Sequence, residues 1–127
     1  MLLNERDSRR ERLLQVADAM ATAARTAPKG KGFDLIEILI VTDENITELS
    51  AEMVKYSEKS GLKFFLRDAE NLQHAEAVIL IGTKSQTHGL NCGYCGFATK
   101  KKKQEQPDIP CSLNSVDVGI AIGSACA

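Results

Sequence analysis

No sign of charge dominates these 127 residues: 16 lysines and arginines stand against 17 aspartates and glutamates. So even a balance supplies no general electrostatic pull toward nucleic acid or an anionic membrane, and the expected partner is a small molecule or another protein. A long hydrophobic run is missing too. No stretch approaches the roughly 18 apolar residues of a membrane span, and the apolar part of the opening MLLNERDSRRERLL is too short for a secretory signal. The chain therefore reads as soluble and cytoplasmic, with no nucleic-acid and no membrane partner. No internal repeat is visible, and the length allows one compact core, so residues 1–127 are expected to form a single domain. In a reducing compartment a structural disulfide is disfavoured, which leaves the four cysteines to metal binding, redox chemistry or packing.

Hydrophobic periodicity places the main elements. Glu5 to Thr26 reads as a helix with Leu13, Val16, Ala17, Met20 and Ala24 on one face, stopped by Pro28, Gly30 and Gly32. Its alanine-rich second half is expected to pack closely against a neighbour. IEILIVT (36–42) and AVILIG (77–82) have the β-branched, near-continuous apolar character of buried strands. Between them lies a helix with Asn45 as its cap, Glu48 completing a capping box, an inward stripe of Ile46, Leu49, Met53 and Tyr56, and Ser60-Gly61 as its stop. Two strands joined through a helix predict a βαβ unit with helices covering the sheet. The run Phe64 to Leu66 fits a short strand or a buried helical turn equally well.

From Thr83 to about Cys111 the chain turns polar and rich in glycine and lysine, a loop of a length that usually either carries a function or is disordered. Ser112 to Ala127 predicts a last helix, with Ser112, Asn114 and Ser115 competent to cap it and Asp117 complementing its positive end. Gly119 and Gly123 lie one turn apart and would admit another backbone along that face. The apolar ending GSACA has no cap, and it reads as interrupted, as if this helix belonged at the centre of a larger protein or of a homodimer.

Cys92 and Cys95 form a CxxC pair, whose spacing turns two sulfurs to one point, aided by the turns that Gly93 and Gly96 permit. Cys111 follows after fifteen intervening residues, a separation suited to the second half of a metal site. Cys126 lies about 20 Å further along the last helix and cannot share that centre. It continues the stripe of Val118 and Ile122 and reads as a buried small hydrophobe. The fourth ligand must come from elsewhere. His88, four residues before Cys92, completes a set of one histidine and three cysteines that tetrahedral zinc accepts, although a solvent-exposed loop histidine is an equal reading. A dithiol cycling with a disulfide wants its CxxC at the start of a helix, whereas GFATKKKKQEQP is a poor helix former, and its lysine run reads as a solvated loop.

Taken together, AARTAPKGKG, FFLRDAENLQHAEAVILIGT, GLNCGYCGF and NSVDVGIAIGSA resemble the uncharacterised ferredoxin-domain-containing proteins of bacteria and archaea, over nearly the whole chain. The resemblance implies a cysteine-ligated iron-sulfur cluster of the four-iron, four-sulfide (4Fe-4S) type, with Cys92, Cys95 and Cys111 as ligands. The family pattern CGxCGxxTC places a further cysteine at position 100, where this sequence has Lys100. An ammonium cannot replace a thiolate, so a three-cysteine cluster, a zinc site and an empty site all stand as alternatives. A shorter likeness links ARTAPKG and VDVGIAIGSACA to FMN-dependent nitroreductases. It implies that Arg25, with Lys29 in place of a serine, could hold a flavin phosphate, against the plainer reading of a basic turn after a helix.

The expectation is thus an α/β chain (α+β, nitroreductase-like), a small central sheet flanked by helices with a cysteine-rich ferredoxin-type loop. The function implied is electron transfer through an iron-sulfur centre to a redox partner protein or a flavin. An FMN-dependent oxidoreductase and a zinc-pinned interaction domain are the alternatives.

Overall fold

The computed structural model describes residues 1–127. Seven regular elements follow in order: α1 (Glu5–Thr26), β1 (Ile36–Thr42), α2 (Glu44–Ser60), α3 (Phe64–Leu72), β2 (Ala77–Thr83), α4 (Lys100–Gln104) and α5 (Ser112–Cys126), with a 3-10 turn over Gly30–Gly32. The chain divides into two compact units, Met1–Asp18 with Ile40–Leu80, and Ala19–Leu39 with Ile81–Ala127. It is a mixed α and β protein whose only sheet is the antiparallel pair β1-β2.

The antiparallel pairing corrects the expected βαβ unit. The Lys84 N–H, just past β2, donates to the Leu35 carbonyl, just before β1, at 2.9 Å. Two helices intervene, because the ambiguous run at Phe64 belongs to α3. One helix would carry the chain back to the start of β1 for a parallel partner. A pair brings it back to the end of β1, from which β2 runs the other way. A two-stranded sheet also buries less than a parallel one: Leu39 and Leu80 are exposed, so these strands are only partly covered.

In the first unit, α2 and α3 form a helical hairpin. Gly61 takes a left-handed conformation (φ 75°) and donates its N–H to the Ser57 carbonyl at 2.8 Å, ending α2 where Ser60-Gly61 predicted. Buried Ser50 donates from Oγ to the Ala69 carbonyl at 2.8 Å, which satisfies a hydroxyl between the two helices. Ile46 is buried, whereas Tyr56 is half-exposed and meets Phe65 edge to face at 5.0 Å. The helix opens at Glu44, one residue before the expected cap Asn45. Asp43 holds the cap position at φ 54°, and its carboxylate takes Arg10 at 2.6 Å instead of capping amides.

The second unit is built on small residues. Ala24 and Ala121 are fully buried and share a cluster with Ala27, Ile36 and Ala125, flanked by Met20, Ile38, Ile81 and Val118. In the alanine-rich half of α1, Ala24 is buried and Ala21 and Ala23 are partly so while Ala19 is exposed, and Leu13 and Val16 of the predicted stripe are exposed too. On α5, a Cβ added at Gly119 or Gly123 would meet nothing within 4 Å, so no backbone of this chain approaches that face. Cys126 is exposed, contrary to its reading as a buried hydrophobe, because the buried face of α5 runs through Asn114, Asp117, Ala121 and Ala125.

Candidate functional site: a cysteine-lined loop

The polar stretch after β2 contains one short helix. Thr99 caps α4 by accepting the Lys102 N–H on its hydroxyl at 3.3 Å, and the Asn91 side chain accepts the Lys100 N–H at 2.8 Å. Lysine-rich α4 is a departure from the reading of this run as a solvated loop. Its turns bury Lys103 to 4% exposure while Lys100, Lys101 and Lys102 stay exposed. The Lys103 ammonium donates to the Gln106 carbonyl at 2.9 Å and lies 5.9 Å from the centre of the Phe97 ring. Gly93 (φ 72°) and Gly96 (φ 88°) both adopt the left-handed conformation, so the CxxC turn follows a path closed to ordinary side chains.

Cys92, Cys95, Cys111, His88, Lys100 and Lys103 line one cavity of about 20 Å³. Cys92 is exposed, Cys95 and Cys111 are partly buried, and all are free thiols. The cavity gathers the expected donors, yet no three of the His, Cys, Asp or Glu side chains stand at the mutual distances of a metal centre. Cys126, at the far end of α5, is not part of it.

Cys111 occupies the cap position of α5, and its thiol titrates below the ordinary value. Burial pushes it up, but the amides of Asn114, His88 and Leu113 and the Lys103 ammonium together outweigh that effect. These amides face the sulfur without closing a cap hydrogen bond. The arrangement favours a thiolate, the form in which cysteine binds metal or acts as a nucleophile.

His88 is not a solvent-exposed loop residue: it is 4% exposed. Its Nε2 meets Asp117 Oδ2 at 2.9 Å, and Asp117 also accepts the Gly30 N–H at 2.9 and 3.1 Å. Only glycine fits at position 30, because an added Cβ would lie 2.9 Å from both Cδ2 and Nε2 of the imidazole. Nδ1 is buried and has no hydrogen-bond partner. Asp117 therefore serves the loop and the turn after α1, rather than the helix end to which the sequence assigned it. Its signal was present: it is the only charged residue in α5. Asn114, expected as a cap, is buried and donates to the carbonyls of Gln86 and Lys84, tying the loop's first residues to α5.

Arg25 and Lys29 lie elsewhere, at the end of α1. Arg25 donates to Asp34 at 2.9 Å and to the Ile36 carbonyl at 2.7 Å. The Lys29 ammonium caps α1 through the carbonyls of Ala24 and Arg25 and stands 4.0 Å from Asp34. Both cations are engaged by acceptors of the protein itself.

Fold and loop together define an α+β protein with a small antiparallel sheet and a thiol-lined loop. No protein-family model and no solved structure matches the chain. It is 42% identical over 133 aligned residues to a protein of Archaeoglobus fulgidus called "Uncharacterized protein", in an alignment covering 98% of this chain and 72% of that relative. The chain belongs to the family of that archaeal protein. No helix is long and apolar enough to cross a membrane.

Proposed function

We propose that the chain is an electron-transfer protein whose loop from Thr83 to Cys111 holds a cysteine-ligated iron-sulfur centre of the ferredoxin kind, on a frame laid out as in the nitroreductases. The observation that carries this reading is the convergence of Cys92, Cys95 and Cys111 on one cavity, with an environment around Cys111 that favours the thiolate. Thiolates are the donors that iron-sulfur clusters take, and a buried ammonium and backbone amides beside a sulfur are the levers that set a potential. Such a centre supplies one-electron chemistry when bound. The residues of this chain bind it, shield it through Phe97 and Leu113, and supply the positive field of Lys103. Because Arg25 and Lys29 are spent on internal acceptors, the electron partner in this reading is another protein rather than a flavin at α1.

A structural zinc site is the second reading, favoured by the size of the cavity. About 20 Å³ suits a single small occupant, whereas a cluster requires the loop to open. Anaerobic purification followed by iron, sulfide, zinc and flavin analysis decides between them. A brown protein with iron and sulfide in equal amounts supports the cluster, and a colourless protein with one zinc per chain supports the second reading. A protein that holds neither, before or after anaerobic reconstitution, overturns both.

A further inference from the structure

His88 is buried beside the thiols, with one edge of its ring fixed and one nitrogen unpartnered. The Cδ2–Nε2 edge of the ring is clamped by Gly30 and Asp117. Nδ1 is the ring vertex opposite that edge, is buried, and lacks any partner, in a side chain 1% exposed. A carboxylate that already accepts the Gly30 N–H is an acceptor at both oxygens, so Nε2 carries an N–H, and in the neutral ring the lone pair then belongs to Nδ1. Leaving a buried acceptor unsatisfied is costly. A fold keeps one most readily where something else completes it. The same histidine lines the cavity of Cys92, Cys95 and Cys111. A metal-binding histidine commonly gives its other N–H to a carboxylate, which fixes tautomer and ring orientation.

Resting on the metal-binding reading of the loop, we infer that His88 Nδ1 is the fourth ligand to the centre held by Cys92, Cys95 and Cys111, with Asp117 as the positioning residue that holds Nε2–H. The three thiolates bring negative charge, and the neutral imidazole completes four-coordination without adding more. This set uses every potential soft or borderline donor in the cavity and needs no contribution from Lys100, whose ammonium has no lone pair. Any adjustment around the centre falls to the CxxC turn rather than to His88, since the histidine is buried and Cys92 is exposed.

The test uses the full chain, loaded anaerobically in parallel with zinc ion and with ferrous iron plus sulfide, then challenged with increasing EDTA. The wild type is expected to retain one of the two loads, and Cys95→Ser to lose it. His88→Ala should release the metal at a chelator concentration at least about tenfold lower, and Asp117→Asn about 10–100-fold lower. His88→Cys should restore retention, because a thiolate can ligate from that position although it cannot bond Asp117. A merely structural histidine would not be rescued this way. Far-UV circular dichroism of each variant checks that the fold survives. Retention by His88→Ala equal to wild type, or failure of a folded His88→Cys to recover it, overturns the inference and leaves cysteine ligation standing. A wild type that retains neither load overturns the metal-binding reading itself.

Discussion

At the scale of single residues, the end of α1 and the turn after it pair their charges within the protein. Asp34 shows how. Burial raises its carboxyl pKa, but the Arg25 hydrogen bond, the Ile36 N–H and the Lys29 ammonium bring it below the usual carboxylate range. A folded pKa below the unfolded one contributes stability above the unfolded value, near 3.9, that is lost as pH falls through the folded pKa. The pair is partly exposed, so its worth is no more than about 1 kcal/mol after solvent screening. Asp34→Asn should therefore lower the urea midpoint at neutral pH, with the difference from wild type shrinking toward zero in acid. A constant difference across that range would show that packing, not charge, holds the turn. Gly30 gives a sharper test at the same scale. Its missing side chain admits the His88 ring, and its N–H fixes Asp117. Gly30→Ala should cost about 1–3 kcal/mol from overpacking and also loosen metal retention, read by urea titration and chelator challenge on one preparation. Lost stability with unchanged retention would detach the histidine from the site.

The elements show which local signals can be read from sequence and which depend on contacts far along the chain. The bounds of α1 and β1 follow from periodicity and punctuation alone, because each runs between clear breakers. The three residues at Phe64 carry no period of their own, and assigning them to α3 turns an expected parallel pair into an antiparallel one. The CxxC spacing was legible; the burial of His88 was not, because it is imposed by Gly30 and Asp117, the latter 29 residues away. Asp117 could have been singled out as a lone charge on an apolar helix, although its partners could not. Short α4 is the element most dependent on local chemistry. It has five residues, four of them lysines, and too little length to be stable by propensity. Its Thr99 cap orders the turn that buries Lys103. Thr99→Ala should cost about 1 kcal/mol and raise the Cys111 thiol pKa by releasing the ammonium, measured as slower alkylation of that cysteine at fixed pH in the metal-free protein. An unchanged rate would leave the amides alone responsible for the low thiol pKa.

For the molecule as a whole, every group argued to serve the centre lies in one of the two units. Gly30, His88, Cys92, Cys95, Cys111 and Asp117 all fall within Ala19–Leu39 and Ile81–Ala127, whereas the hairpin of α2 and α3 lies wholly in the other. The core of the cysteine-bearing unit is mostly alanine. Alanine buries little apolar area, so each such residue adds less than a leucine or phenylalanine would. A unit of this composition has much to gain from a ligand that ties a 28-residue connection, from Lys84 to Cys111, to its last helix. Binding at a free concentration a thousandfold above Kd adds about 4 kcal/mol to whatever unfolds with the site. Hydrogen exchange can locate that gain. On anaerobic loading, amides of α5, of the turn at Gly30–Gly32 and of the loop should slow by up to about a thousandfold, while those of α2 and α3 keep their metal-free rates. Equal slowing in α2 and α3 would mean that the two units open only together and that the centre stabilises the chain as one cooperative whole. No slowing in α5 would instead separate the centre from the helix that Cys111 caps and Asp117 sits on, and the ligand set argued above would fall with it.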